Sequence, residues 1–336
     1  MDIYDIAEKS GYSTATVSRV INKSKNVSDK ARKIIEEIIE ESGYKPNRVA
    51  RSLAKNSTQM IGIMVPDIRG YYESQSAFEL EHRLDKLGYT TLLCVTTNNY
   101  EKKLSYLDVL VESKVDAIIA VGSTYEEKKF YEKLKNMSVI IPMALLNVKT
   151  SDDNEKIVNV YIDEIEAMDQ AVKLLKENCY KKPLYVSRDM GYLSRSYIAK
   201  KSGFVEALYK YYDDAEFVEY KIVDPDKDLK KLIEFLKENP QFDSIQFELD
   251  RLAVNAYKLM ANEGIKIPQD IGIIGFDNIE ATEYTNQAIT SIDQRISDQV
   301  DMAVDNLLKI LNQEEASTNI SLEARLIEKE TTFRGN

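Results

Sequence analysis

The chain has 336 residues, 43% of them hydrophobic and 30% charged, which exceeds the roughly 250–300 residues over which one core grows, so at least two domains are expected. The net charge is −11, yet the first 57 residues carry eleven Lys and Arg against eight Asp and Glu, a balance of +3 that leaves −14 for the rest; only the N-terminal piece has the sign that attracts a polyanion. Two cysteines outside any C-x-x-C pair, a polar acidic start, and no apolar run near the ~18 residues of a membrane span speak against a disulfide framework, a secretory leader and a membrane protein, and for a reduced cytoplasm.

Three short helices are predicted first. Ile3, Ile6 and Ala7 lie at helical spacing and stop at Gly11-Tyr12-Ser13. Ser13 is placed to cap a second helix, Thr14 to Ile21, that turns Val17, Val20 and Ile21 inward, with Ala15 or Thr16 beside them. Ser28 caps a third, with the stripe Ala31, Ile34, Ile35, Ile38, Ile39, closed by Gly43. Two helices joined by a tight Gly-containing turn form a helix-turn-helix, whose second helix enters the major groove of DNA. Thr14, Ala15, Ser18 and Arg19 then face base edges, Arg19 with two donors suited to guanine O6 and N7. Ser13, Thr16 and Asn22 are placed to bond phosphates, which set register without reading sequence.

The words Ile3-Tyr4-Asp5-Ile6-Ala7, Thr16-Val17-Ser18-Arg19-Val20-Ile21-Asn22, Val27-Ser28, Gly43-Tyr44-Lys45-Pro46-Asn47 and Ala50-Arg51-Ser52-Leu53, at these spacings, closely resemble the lactose-repressor (LacI/GalR) family. Pro46 ends the third helix. The stretch after it is too short to hold a helix alone in water. The resemblance implies a hinge helix there that folds on DNA, with Asn47, Ala50 and Leu53 at the minor groove and Leu53 wedged between base steps. It also implies a homodimer on a near-palindromic operator.

From Met60 onward, apolar runs alternate with amphipathic stretches. Strands are predicted at 60–65, 90–95, 117–121, 142–146, 158–162, 184–186, 217–222, 244–247 and 271–276, and helices at 76–87, 102–113, 165–178 and 202–212. That alternation means parallel sheets covered on both faces, and nine strands suggest two of them. Ligands of such sheets bind beyond the carboxyl ends of the strands. The residues there include Tyr71, Tyr72, Ser123, Asn147, Asp163, Glu248, Asp250 and Asp277. Carboxylates, amides and aromatics round one cleft suit a polyhydroxylated small molecule; Asp163, Asp250 and Asp277 read equally well as helix or turn caps.

The resemblance covers the body too and implies two doubly wound, periplasmic-binding-protein-like lobes joined by three crossovers, with the ligand between them. Ile273-Ile274-Gly275-Phe276-Asp277-Asn278 matches the strand that ends in the family's ligand-contacting aspartate, and Thr290-Ser291-Ile292-Asp293-Gln294 the returning segment. Ile68 to Tyr72 matches a loop that sets an aromatic under the ligand. Two positions depart from the family pattern. Lys200 stands where an arginine often precedes the Gly-Phe pair, and Leu249-Asp250 where Asn-Asp is usual. Lysine lacks the planar fork of arginine and leucine cannot hydrogen-bond, so both depart from a standard sugar pocket; a sugar or sugar derivative is still expected, with a sugar phosphate, a non-sugar metabolite or a protein co-repressor as the alternatives.

The expected organisation is an all-α helix-turn-helix headpiece over 1–46, a hinge helix and linker over 47–57, and an α/β body over 58–336. Its DNA-proximal lobe is expected at about 60–160 and 291–322, its distal lobe at about 161–290 and 323–336. An enzyme is not expected. His82 is the only histidine, on a charged helical face, and no G-x-G-x-x-G, P-loop, G-x-S-x-G or zinc-ligand pattern is present. Neither cofactor nor metal is expected. A transport receptor has no use for residues 1–57.

Overall fold

The computed structural model describes residues 2–21, 24, 26–44, 57–150 and 154–334. Two compact units divide the chain after Gln59.

The first unit is the expected three-helix headpiece. Asp2 caps α1 (Ile3–Ser10) in a reciprocal capping box with Asp5, and Gly11 ends it at φ +72°. α2 (Thr14–Ile21) follows at once. Ser28 caps α3 (Asp29–Ser42), which Gly43 closes in the left-handed region. Ile6, Val17, Val20 and Ile35, one or two from each helix, form the buried core. Asn22, Asn47, Ala50 and Leu53, like most of the expected hinge, lie outside the described residues.

The second unit holds two six-stranded sheets. The first runs through β1 (Met60–Val65), α4 (Tyr71–Lys86), β2 (Thr90–Val95), α5 (Tyr100–Glu112), β3 (Ala117–Val121), α6 (Lys128–Ser138), β4 (Met143–Leu146) and β5 (Ile157–Ile162). The chain then crosses to α7 (Glu164–Glu177), β6 (Pro183–Arg188), α8 (Arg195–Tyr211), β7 (Glu219–Ile222), α9 (Pro225–Glu238), β8 (Ser244–Phe247), α10 (Asp250–Asn262), β9 (Gly272–Phe276) and β10 (Thr290–Asp293). It returns through α11 (Ile296–Leu311) and β11 (Asn319–Leu322), and crosses a third time to β12 (Arg325–Ile327). The strand orders are β11-β5-β4-β3-β1-β2 and β12-β10-β9-β8-β6-β7, parallel throughout save β12 against β10.

Both faces of each sheet are covered, which is why the central strands are buried along their whole length. α4 and α11 pack one face of the first sheet and α5 and α6 the other. α9 and α10, then α7 and α8, do the same for the second. Each fully buried aliphatic side chain contributes about 1.5–3 kcal/mol. α7 passes against Gly203 of α8, where a Cβ would stand 2.7 Å from Ile165 Cα and 2.8 Å from its carbonyl oxygen; this is a physical reason for glycine in the Gly-Phe pair.

The structure moves the expected lobe boundaries. Ser291–Asp293 belong to the second lobe, because β10 pairs with β9 and β12, and Tyr161 and Ile162 stay in the first, paired with β11. Two helices begin a full turn or more earlier than expected. α4 starts at Tyr71 behind Gly70, which offers no side-chain cap to read, and α8 starts at Arg195 behind Ser194, whose hydroxyl accepts from Tyr197 N. No described helix is long and apolar enough to cross a membrane.

Candidate functional site

On α2 the expected DNA-reading positions stand away from the core. Val17 and Val20 are buried, while Ser13, Ala15 and Arg19 are exposed and Thr14, Thr16 and Ser18 half-buried. Ala15, Ser18 and Arg19, spaced i, i+3, i+4, share one face. Ser13 closes the helix start: its hydroxyl accepts from Thr16 N (3.3 Å) and lies 3.0 Å from Thr16 Oγ1.

In the body, each sheet reverses its strand order beside its first strand, at β1/β3 and at β6/β8. Crevices open at such switch points. The loops leaving these strands carry Gly70 to Glu73 and Gly122 to Glu126 in one lobe, and Arg188 to Ser196 and Glu248 in the other. Gly122, Asn147 and Asp277 all take positive φ (+113°, +55° and +114°) directly after β3, β4 and β9. Such strain persists where a site over-determines the backbone.

Asp277 and Gln294 form the floor. Gln294 Nε2 donates to Asp277 Oδ1 at 2.6 Å, and that bond leaves the buried Gln294 Oε1 with no partner among the described residues. Burial pushes the Asp277 carboxyl up to about 8, against the pull of Lys200. Lys200 is itself buried; its ammonium lies 3.7 Å from the Phe276 ring centroid and donates to the Glu248 carbonyl at 3.4 Å. Asn147 is buried at the end of β4 with Oδ1 unpartnered among the described residues. Tyr71 is half-buried, and desolvation, then Asp277, raises its hydroxyl pKa. Ser123 opens a 3-10 turn, Ser123–Glu126, at the end of β3, pinned by Lys103 Nζ on Thr124 O (2.8 Å) and Oγ1 (2.9 Å).

Three expected contacts sit elsewhere. Tyr72 is buried and its hydroxyl donates to Gln299 Oε1 (2.7 Å), so of the two tyrosines only Tyr71 is available to the crevice. Asp250 is wholly buried: Ser291 Oγ donates to Oδ1 (2.7 Å) and Ile279 N to Oδ2 (2.9 Å). It braces the loop below Asp277, and burial lifts its pKa to about 6. Asp163 caps α7 by accepting from Ile165 N and Glu166 N.

The sequence reading missed four charged residues here. Glu164, buried on the first turn of α7, receives Ser196 Oγ on Oε1, while Oε2 has no hydrogen-bond partner among the described residues. Arg195 Nη1 lies 3.5 Å from Glu126 Oε1 of the other lobe and 3.9 Å from Glu164 Oε2, joining the lobes across the crevice. Burial raises Glu126 to about 7, and likewise raises Glu73, whose Oε1 lies near Gly122. Tyr192 faces Asn98 across the same opening.

Known proteins share both parts. Residues 2–47 match the description "bacterial regulatory proteins, lacI family" and residues 179–332 "periplasmic binding protein-like domain". Over 341 residues the chain is 32% identical to an HTH-type transcriptional regulator of Lachnoclostridium phytofermentans, covering 99% of each protein. The fold matches that of the Lac repressor dimer bound to operator and the anti-inducer ONPF, with a TM-score of 0.84 at 21% identity over 99% of both chains. A periplasmic binding protein/LacI transcriptional regulator from Alkaliphilus metalliredigens, complexed with D-xylulofuranose, gives 0.67 at 27% identity over 81% of this chain and 98% of that one. These relatives are transcriptional regulators, not enzymes. With the helix-turn-helix at one end and the two-lobed body at the other, the chain belongs to the LacI family of DNA-binding transcriptional regulators, and the body is its effector-binding domain.

Proposed function

We propose that a small hydroxylated molecule, a sugar or sugar derivative, occupies the crevice between the lobes and sets the affinity of a cytoplasmic homodimer for a near-palindromic operator. The observation that carries this is a set of buried acceptors that receive no hydrogen bond among the described residues: Asn147 Oδ1, Gln294 Oε1 and Glu164 Oε2, the last with Arg195 Nη1 at 3.9 Å. A buried acceptor left unmade costs about 1–3 kcal/mol, so such atoms at a switch-point crevice call for a ligand rich in O–H or N–H donors. The D-xylulofuranose held by the Alkaliphilus protein is of that chemistry.

On this reading Tyr71, Ser123, Asn147, Lys200, Asp277 and Gln294 line the ligand, with Tyr72 and Asp250 supporting them from behind. Thr14, Ala15, Ser18 and Arg19 read bases, Ser13, Thr16 and Asn22 hold phosphates, and Asn47, Ala50 and Leu53 take the minor groove. A pairing face is offered by Phe78 and Met302, large apolar side chains exposed on α4 and α11. The test is a gel-shift with DNA flanking the gene, titrated with sugars and sugar derivatives. Asp277→Ala retains DNA retardation and loses the ligand response; a variant that responds normally defeats the assignment.

A further inference from the structure

The charges of the crevice restrict its ligand further. One cation, Lys200, faces three carboxylates, Glu73 from the first lobe and Glu248 and Asp277 from the second. It neutralises none of them by direct contact. Its described hydrogen bond goes to the main-chain carbonyl of Glu248, and its charge rests over the Phe276 ring. Glu248 takes its own hydrogen bond from Arg188 N at 2.8 Å, not from the Arg188 guanidinium. At the other end, Arg195 lies between Glu126 and Glu164, and Lys149, whose main-chain N–H donates to Glu126, is the other cation beside that carboxyl. Lys329, which approaches Asp250 from behind, is held by Asn278, Thr282 and Glu283.

Glu73, Glu126, Glu164, Glu248 and Asp277 therefore outnumber the cations beside them, Lys200, Arg195, Lys149 and Arg188. The atoms without a hydrogen-bond partner among the described residues lean the same way: Asn147 Oδ1, Glu164 Oε2 and Gln294 Oε1 can only accept, against Arg188 Nε and the Tyr185 hydroxyl, which can donate. Hydroxyl groups satisfy acceptors but leave the charge. Burying an unpaired carboxylate is costly enough that such groups hold protons instead, and burial does raise Glu73, Glu126, Glu248 and Asp277 together. Phosphate or carboxylate on the ligand adds repulsion to a site that already lacks cations.

Resting on the reading of the crevice as the effector site, we infer that the effector is a hydroxylated amine, its ammonium seated among Glu73, Glu248 and Asp277 and its hydroxyls on Asn147, Glu164 and Gln294. A compact ammonium offers three donors and one positive charge, which supplies what Lys200 leaves unmet. Phosphorylated sugars are excluded by the same charges.

Calorimetry on the full-length protein at pH 7.5 decides it, with D-glucose, D-galactose and D-xylose as neutral probes. D-Glucosamine, D-galactosamine and 1-amino-1-deoxy-D-sorbitol serve as amines, and D-glucose 6-phosphate as the anion. An amine is expected to bind about tenfold tighter or more than every neutral probe. Tighter binding of a neutral sugar or of the phosphate overturns the charge assignment and leaves the crevice standing as the effector site. Heat from none of the seven probes overturns the assignment and counts against the crevice itself. A second measurement needs no ligand. Glu73→Gln keeps the side chain's shape and removes one negative charge, so its melting temperature at pH 8 rises above that of the unsubstituted protein. A fall shows that Glu73 is already compensated and overturns the inference.

Discussion

Asp277→Asn in the ligand-free protein separates a side chain kept for folding from one kept for binding. Asparagine has the same shape, and its Oδ1 still accepts from Gln294 Nε2, now 2.6 Å from Asp277. What goes is the charge. Burial, opposed by Lys200 and reinforced by Asp250 and Glu73, lifts this carboxyl from an ordinary 3.8 to about 8. A carboxyl that holds its proton more tightly when folded gives stability that is fully present below about pH 4 and is lost as pH rises toward 8. At about 1.4 kcal/mol per unit the shift sets a ceiling of about 5–6 kcal/mol, and relaxation of an open crevice reduces that to about 1–3 kcal/mol. The variant should melt close to the unsubstituted protein near pH 5 and above it by about 2–12 °C at pH 8, since 1 kcal/mol moves a domain of this size by about 2–4 °C. Thermal unfolding followed by circular dichroism at pH 5, 6.5 and 8 measures it. A variant less stable at pH 8, or a difference that does not grow with pH, refutes the reasoning.

Three other substitutions probe separate parts of the molecule. Arg19→Ala should cost about 1–3 kcal/mol of operator affinity and relax preference at one base pair; an equal loss on every operator variant would assign Arg19 to a phosphate. Leu53→Ala should weaken operator binding strongly while calorimetric effector binding stays as it was, and an unchanged operator affinity rejects the minor-groove wedge. Gly203→Ala drives a Cβ into the Ile165 backbone, which cannot yield as a side chain does, and should destabilise the body by about 1–3 kcal/mol in urea unfolding; an unchanged midpoint shows that α7 and α8 can separate.

Much of this was legible because it is periodic or punctuated. The bounds of α2 match the expected ones residue for residue, since a cap, a buried Val17/Val20 pair and a tight turn agree there. β1, β2, β3 and β8 likewise match, each an apolar run between turn residues. β10, β11 and β12 were not among the expected strands: Thr290–Asp293 has only four residues, and Asn319–Leu322 and Arg325–Ile327 are edge strands of four and three residues with mixed burial, all too short for a period to show. The crevice was half legible. The strand-end rule finds Asn147 and Asp277 because they sit directly after β4 and β9. It misses Glu73, Glu164 and Arg195 because they lie within first helical turns, where an acid or a polar residue is ordinary capping chemistry. It also over-reads Asp250, whose place after β8 resembles that of a ligand contact although Ser291 and Ile279 use both its oxygens.

Gln294 stands in the second of the three crossovers, and its bonds run both ways. Its amide holds Asp277 of the second lobe (2.6 Å). Its main-chain carbonyl accepts from Gln299 Nε2 (2.6 Å), and Gln299 Oε1 accepts from the Tyr72 hydroxyl of α4 in the first lobe (2.7 Å). A ligand shifts the lobes only through a difference in affinity for two arrangements, and a full reversal of a 99:1 balance takes about 5.5 kcal/mol. One charge-assisted hydrogen bond to Asp277 supplies about 1.5–3 kcal/mol. One such bond therefore falls short, and contacts on both sides of the crevice are expected to add to it. Asn147, directly after β4, is a buried acceptor of the first lobe without a hydrogen bond to its Oδ1 among the described residues, so Asn147→Ala should reduce the effector-induced change in operator affinity by about tenfold while binding of the effector persists. An undiminished change in that ratio would show that the second lobe alone carries the signal.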